Sequence, residues 1–182
     1  MDMTKPKLML FSHVSNTKSI TGAEKLLLLF CRYMSPYFNC ILVAPGEGKL
    51  TDHARKQGIQ VMIQTFPLLY GMYNPDSRLP QNAEELRSHP DYASVVRLIG
   101  ETAPDLVLTN TIVNALPAIA AKSLGIPVVW KVTEVIQENE FTTDVLNIAD
   151  FYSDWIISIS ESAARVFLGR ISSPISLLPP ST

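Results

Sequence analysis

The strongest constraint on the fold is an alternation. Short apolar runs that read as strands covered on both faces are separated by segments with helical spacing, and turn residues mark each change. The strand runs fall at 8–11, 39–44, 59–63, 105–109, 126–132 and 154–159, with a short seventh at 172–178. Helical patterns occupy 23–33, 50–57, 82–102, 115–124, 141–151 and 161–168, and Pro90 must break or restart the third of these. Pro179-Pro180 reads as extended chain. Strands alternating with helices pair in parallel through right-handed crossovers. The expected fold is therefore α/β, a Rossmann-like doubly wound parallel sheet with strand order 3-2-1-4-5-6.

In such a sheet ligands bind outside the carboxyl ends of the strands, where the strand order reverses. That edge collects residues 13–22 after the first strand, Asn110-Thr111 after the fourth, Thr133-Glu134 after the fifth and Ser160-Glu161 after the sixth. The stretch from Lys7 to Met34 is the most informative. A polar loop leads to Gly22, and Thr21 with Glu24 three residues on forms a capping box for the helix that follows. The first N–H groups of that helix lack internal partners and carry the positive end of its dipole. Gly22 has no Cβ, so a phosphate could approach the backbone closely; the competing reading is that Gly22 only makes the turn. Neither G-x-G-x-x-G nor G-x-x-x-x-G-K-S/T is present, which excludes a dinucleotide fingerprint and a P-loop. The loop over 65–80 carries Phe66, Leu68, Leu69, Tyr70, Met72 and Tyr73 with three prolines, a length and aromatic content that point to a functional or mobile segment. The run Leu26 to Phe30 reads as core. His53 and His89 sit in polar helical contexts and read as surface. Ser160-Glu161 reads as a helix N-cap.

Composition excludes several classes. With 15 basic against 17 acidic side chains in 182 residues, nothing favours a nucleic-acid partner. Two cysteines, Cys31 and Cys40, lie in apolar runs and read as buried thiols in a reducing compartment, not as a disulfide framework or metal site. No segment approaches the roughly 18 uninterrupted apolar residues of a membrane span, and residues 1–7 are too short and polar for a signal peptide. A cytoplasmic protein of one domain is the expectation.

Several phrases share one pattern. F-S-H-V-S-N-T-K-S-I-T-G-A-E-K, with Gly22-Ala23-Glu24-Lys25, resembles the "sGAEr" segment of retaining glycosyltransferases of the GT-B type, family 4. V-A-P-G-E-G-K-L at 43–50, P-D-L-V-L-T-N-T at 104–111, L-G-I-P-V-V-W-K-V-T-E at 124–134 and D-W-I-I-S-I-S-E-S at 154–162 resemble further segments of that family in the same order. Each is weak alone; their order and spacing over nearly the whole chain are specific.

The resemblance implies a definite architecture and chemistry. GT-B transferases place the active site between two Rossmann-like domains, the N-terminal one holding the acceptor and the C-terminal one gripping the nucleotide sugar with an E-x7-E motif. That motif and its domain are not in this sequence, so 1–182 reads as the N-terminal, acceptor-side domain. Gly22 and Ala23 would meet the donor diphosphate. His13, Asn110, Thr111, Tyr70 and Tyr73 would line the acceptor side, and Glu134 with Thr133 would occupy the catalytic position. The reaction implied is transfer from an NDP-sugar with retention, without a bound metal or other cofactor, to a polysaccharide, glycolipid or similar acceptor. It would rest on stabilising the leaving diphosphate and positioning the acceptor hydroxyl. The partners implied are the nucleotide sugar, the acceptor and the C-terminal domain. Peripheral membrane contact stays open, although no basic amphipathic helix announces it.

Two residues carry competing readings. His13 either bonds acceptor or phosphate or is satisfied by backbone, and Glu134 either orients a sugar hydroxyl or caps its loop. Family members often have histidine where this chain has Thr133, which can donate a hydrogen bond but cannot take a charge near neutral pH. Lys131 shares the strand face of Thr133 and could supply charge, though strand lysines more often reach solvent. Alternatives to a transferase are a flavodoxin-like nucleotide module, disfavoured by the missing glycine fingerprint, and a non-catalytic scaffold domain.

Overall fold

A computed structural model describes residues 2–179. Its strands are β1 (Lys7–Phe11), β2 (Asn39–Ala44), β3 (Gln60–Ile63), β4 (Leu106–Asn110), β5 (Val128–Val132), β6 (Trp155–Ser158) and β7 (Ile175–Leu177). They form one sheet ordered β3-β2-β1-β4-β5-β6-β7 with every pairing parallel. The helices are α1 (Gly22–Met34), α2 (Lys49–Lys56), α3 (Leu79–Glu85), α4 (Pro90–Thr102), α5 (Ala115–Ser123), α6 (Thr142–Tyr152) and α7 (Glu161–Ala164).

Strand alternation divides the core into two layers. Leu8, Leu10, Leu42, Leu108 and Val129 face α1 and α2, while Met9, Phe11, Val43, Val107, Trp130 and Val132 face α3 to α6. Leu8 to Phe11 are each at most 1% exposed, as a strand covered on both faces requires. Each such side chain contributes roughly 1.5–3 kcal/mol by burial. β1 pairs with β2 on one side and β4 on the other, so the order reverses beside β1.

The capping box forms: the Glu24 N–H donates to Thr21 Oγ1 at 3.2 Å, and the Thr21 N–H donates to Glu24 Oε2 at 2.7 Å.

Three expectations change, and one holds. The 65–80 segment is not one open loop. It holds a 3₁₀ turn at Tyr70–Met72, and α3 begins inside it. Phe66, Leu69 and Met72 belong to this domain's own core, and the Leu69 N–H donates to Val113 O at 2.8 Å. The 82–102 pattern breaks and restarts at Pro90 as expected: a 3₁₀ turn at Leu86–Ser88 precedes α4, and the absent N–H of Pro90 costs nothing in a first turn. His89 caps that start, its Nδ1 accepting from the Asp91 N–H at 3.1 Å. The 161–168 helix shortens to α7, and the seventh strand to three residues. Pro180 lies outside the described residues. Among the described residues, no helix is long and apolar enough to cross a membrane.

Candidate functional site

The sheet's carboxyl edge is braced by side chains that tie strand ends to one another. Asn114 Nδ2 donates to Phe11 O at 3.0 Å, joining the β4–α5 loop to β1. Asn110 Nδ2 donates to Ala23 O at 3.2 Å, joining β4 to the first turn of α1. Glu134 Oε2 accepts from the Ile112 N–H at 3.1 Å and the Thr133 N–H at 3.0 Å, joining β4 to β5. Thr111 sits between these braces with φ of 78°, a left-handed conformation that costs a non-glycine residue about 1–2 kcal/mol. It is held there from both sides: its N–H donates to Lys131 O at 2.8 Å, and its carbonyl accepts from the Trp130 indole at 2.7 Å.

Against this bracing stands a set of buried polar atoms with no hydrogen-bond partner in the protein. Among the described residues these are His13 Nδ1, Ser15 Oγ, Glu24 Oε1, Asn110 Oδ1, Thr111 Oγ1, Asn114 Oδ1 and Lys131 Nζ. All belong to the β1–α1 loop, the first turn of α1, the end of β4 with its loop, or the end of β5. Buried polar atoms are almost always paired, because an unpaired one costs about 1–3 kcal/mol. Their confinement to the switch point marks this edge as a place where polar capacity is held in reserve.

The N-terminus of α1 opens onto the same edge. The capping box satisfies Thr21 and Glu24, which leaves the N–H groups of Gly22 and Ala23 as the pair without intrahelical acceptors. A Cβ on Gly22 would meet no atom within 4 Å, and its φ is not in the left-handed region. The chain's own packing therefore gives no reason for glycine at this position. Gly48 is the opposite case: a Cβ there would stand 2.5 Å from Asn16 O, so the absence of a side chain lets the turn before α2 press against the β1–α1 loop. The Lys49 N–H completes that contact, donating to Asn16 O at 2.8 Å.

The electrostatics are set by burial. His13 is half-buried, and desolvation lowers its pKa, so its imidazole is neutral near pH 7, with a buried Nδ1 that has no hydrogen-bond partner in the protein. Lys131, expected to reach solvent, is instead 3% exposed. Desolvation is the largest cause that pulls its pKa down to about 8, opposed by the nearby Glu134 carboxylate.

The structure brings His13, Gly22, Ala23, Asn110, Thr111, Thr133 and Glu134 to one edge, but it disposes them unevenly. Asn110 and Thr111 are at most 1% exposed and present little surface. Tyr70 is 71% exposed and lines a separate cavity of about 500 Å³ with Pro67, Asn74, Asp76, Glu85 and His89. Tyr73 is fixed by Gln137, whose N–H donates to the Tyr73 carbonyl at 3.0 Å. Ser160 serves as the N-cap of α7, its Oγ accepting from the Ala163 N–H at 3.1 Å. Sequence reasoning missed Asn114, Trp130 and Gly48. The first two had a legible signal: a lone amide in an apolar run, and an indole in a buried strand, each need a partner.

No protein-family model matches the sequence, and no curated protein matches it by sequence. Solved structures do match in shape. Anabaena Alr3699/HepE, solved in complex with UDP-glucose, is 18% identical with a TM-score of 0.65, over 91% of this chain and 40% of that one. The UDP-GlcNAc 2-epimerase from Neisseria meningitidis, solved bound to UDP-GlcNAc, is 15% identical with a TM-score of 0.59, over 93% of this chain and 44% of that one. Spinosyn rhamnosyltransferase SpnG, complexed with thymidine diphosphate, is 12% identical with a TM-score of 0.54, over 84% of this chain and 45% of that one. At these identities the likeness establishes the fold, one Rossmann-like half of a GT-B arrangement. The chain spans about two fifths of the length of the structures it matches.

Proposed function

We propose that this domain is the acceptor-side half of a cytoplasmic glycosyltransferase that moves a sugar from an NDP-sugar to a polysaccharide, glycolipid or similar acceptor, with retention. The observation that carries the reading is the reserve of unpaired polar groups at the switch point beside an α1 N-terminus whose Gly22 faces open space. The open N–H pair of Gly22 and Ala23 suits a diphosphate, which helix N-termini bind through backbone donors and dipole together. Neutral His13, with an unpaired Nδ1, is placed to accept a hydrogen bond from an acceptor hydroxyl. The Glu134 carboxylate spends one oxygen on two backbone N–H groups, which fixes the other in orientation for a sugar hydroxyl. Three solved proteins of this fold carry nucleotide sugar or nucleoside diphosphate in their structures, which supports a donor of that class.

A second reading, isomerisation of a nucleotide sugar, has one specific support: the fold likeness extends to a UDP-GlcNAc 2-epimerase solved bound to UDP-GlcNAc. The native full-length protein separates the two. With a panel of NDP-sugars, acceptor-dependent release of NDP is expected. Conversion of the NDP-sugar into an isomer in the absence of acceptor would overturn the transferase reading.

A further inference from the structure

Tyr70 is 71% exposed, yet the backbone under it is fixed. Its neighbours Leu69 and Met72 are buried in the core, and its carbonyl accepts from the Tyr73 N–H at 3.0 Å and the Asn74 N–H at 3.2 Å. A Cβ on Gly71 would lie 2.9 Å from Leu79 Cδ1, so this turn is pressed against α3. The ring is a plate held out to solvent from packed backbone. It borders the cavity of about 500 Å³, a volume within the range of small-molecule sites. The same segment is tied to the loops after β4 and β5: the Leu69 N–H donates to Val113 O at 2.8 Å, the Gln137 N–H to Tyr73 O at 3.0 Å and Asn139 Nδ2 to Pro75 O at 2.7 Å. The cavity therefore lies beside the switch-point edge.

The polar groups around Tyr70 have capacity to spare. Asp76 gives Oδ1 to the Arg78 N–H at 2.8 Å, and Glu85 gives Oε1 to Gln81 Nε2 at 2.8 Å, so each keeps a second carboxylate oxygen. Both carboxylates are exposed. His89 gives Nδ1 to the Asp91 N–H, which leaves Nε2 as a donor. Asn74 and Asn82 add amides, which donate and accept. No lysine or arginine lines the cavity, and two carboxylates do, which disfavours an anion. A simple cation would leave the amide and imidazole donors unmatched. Hydroxyl groups donate and accept, so they match both kinds of partner. A pyranose also offers a face of C–H groups, which suits the negative face of an exposed tyrosine ring.

We propose that this groove is a subsite for one neutral hexose residue of a glycan acceptor, its C–H face on Tyr70 and its hydroxyls on the surrounding carboxylates, amides and imidazole. Its service to an acceptor rests on the transferase reading; its binding of the sugar does not.

Saturation-transfer NMR and calorimetric titration of the 182-residue chain at pH 7 test it. The probes are the methyl glycosides of glucose, galactose and mannose, the uronic-acid form of each, and cyclohexylamine. At least one hexoside is expected to bind saturably, with a Kd on the order of 1 mM for so small a ligand in an open groove. Its uronate and cyclohexylamine should each bind at least tenfold more weakly. Tyr70→Ala, at an exposed position that leaves the core intact, should weaken the hexoside at least tenfold, while Tyr70→Phe should stay within about twofold of wild type because the ring and not the hydroxyl carries the contact. Absence of saturable hexoside binding, equal binding of the uronate or the amine, or undiminished binding by Tyr70→Ala would overturn the proposal. In the native full-length protein, Tyr70→Ala should raise KM for a glycan acceptor at least tenfold with KM for the NDP-sugar unchanged. Hexoside binding without any acceptor-dependent transfer would uphold the sugar site and defeat the transferase reading, whereas transfer without hexoside binding would do the reverse.

Discussion

At the scale of single residues, Glu134 joins two roles that a substitution pair can separate. Its carboxylate is the acceptor for two backbone N–H groups at the ends of β4 and β5. Glu134→Ala leaves both donors unpaired and is expected to cost about 1–3 kcal/mol in urea unfolding. Glu134→Gln keeps an acceptor oxygen at the same place and should cost under about 1 kcal/mol, yet lower sugar transfer by the full-length protein tenfold or more. Full activity in Glu134→Gln would reduce the residue to a brace. Lys131 gives a pH-dependent case. Its folded pKa is about 8 against an ordinary 10.5, so the folded chain releases this proton earlier than the unfolded one does. Between pH 8 and 10.5 the unfolded state binds more protons, and this residue's contribution to stability rises with pH across that window. Below pH 8 the penalty is complete. Lys131→Met removes it and is expected to stabilise the chain by about 2 kcal/mol at pH 7, an advantage that fades to nothing near pH 10.5. Cys31, whose thiol pKa burial pushes up, acts in the opposite sense at high pH and is common to both proteins. A less stable Lys131→Met at pH 7 would contradict the assignment of an unpaired buried ammonium.

At the scale of elements, the first strand–loop–helix unit was largely legible. The two-sided burial of β1, the Thr21–Glu24 capping box and the open Gly22 all follow from residue types and spacing. The β1–α1 loop was not legible, because what fixes it comes from far along the chain. Gly48 reads as an ordinary turn residue in Pro45-Gly46-Glu47-Gly48, but its missing side chain lets Asn16 O sit where a Cβ would be 2.5 Å away. Ser15 Oγ, at 2.7 Å, can swing aside, but the nearest atom is backbone and cannot. Gly48→Ala is therefore expected to cost about 1–3 kcal/mol and to raise amide hydrogen exchange across residues 13–21. Unchanged exchange there would show that the loop is held by other means. The 65–80 segment was misread for a similar reason. Its length and aromatic content pointed to a functional or mobile segment, but Phe66, Leu69 and Met72 pack into this domain's own core with Met9, Phe11, Ile41 and Val43, and only tertiary packing decides that. Lys131 was misread because strand position gives a face but not what covers it, and α1 covers that face.

At the scale of the whole molecule, the strand order followed from alternation and handedness alone, and the order placed the site. The buried polar reserve could not be read in advance, since pairing depends on geometry that no spacing encodes. The central claim is that the α1 N-terminus receives the diphosphate of a nucleotide sugar during transfer. Gly22→Val tests this, because a Cβ at Gly22 meets no protein atom within 4 Å and the exposed first turn should change stability by less than about 1 kcal/mol. The most direct measurement is acceptor-dependent NDP release by the native full-length protein, wild type against Gly22→Val, with the anomeric configuration of the product read by NMR. The expected result is transfer with the donor's configuration retained, and a loss of at least tenfold in kcat/KM in a variant that melts at nearly the same temperature. Undiminished kcat/KM in Gly22→Val, or no acceptor-dependent release by the wild type, would contradict the account.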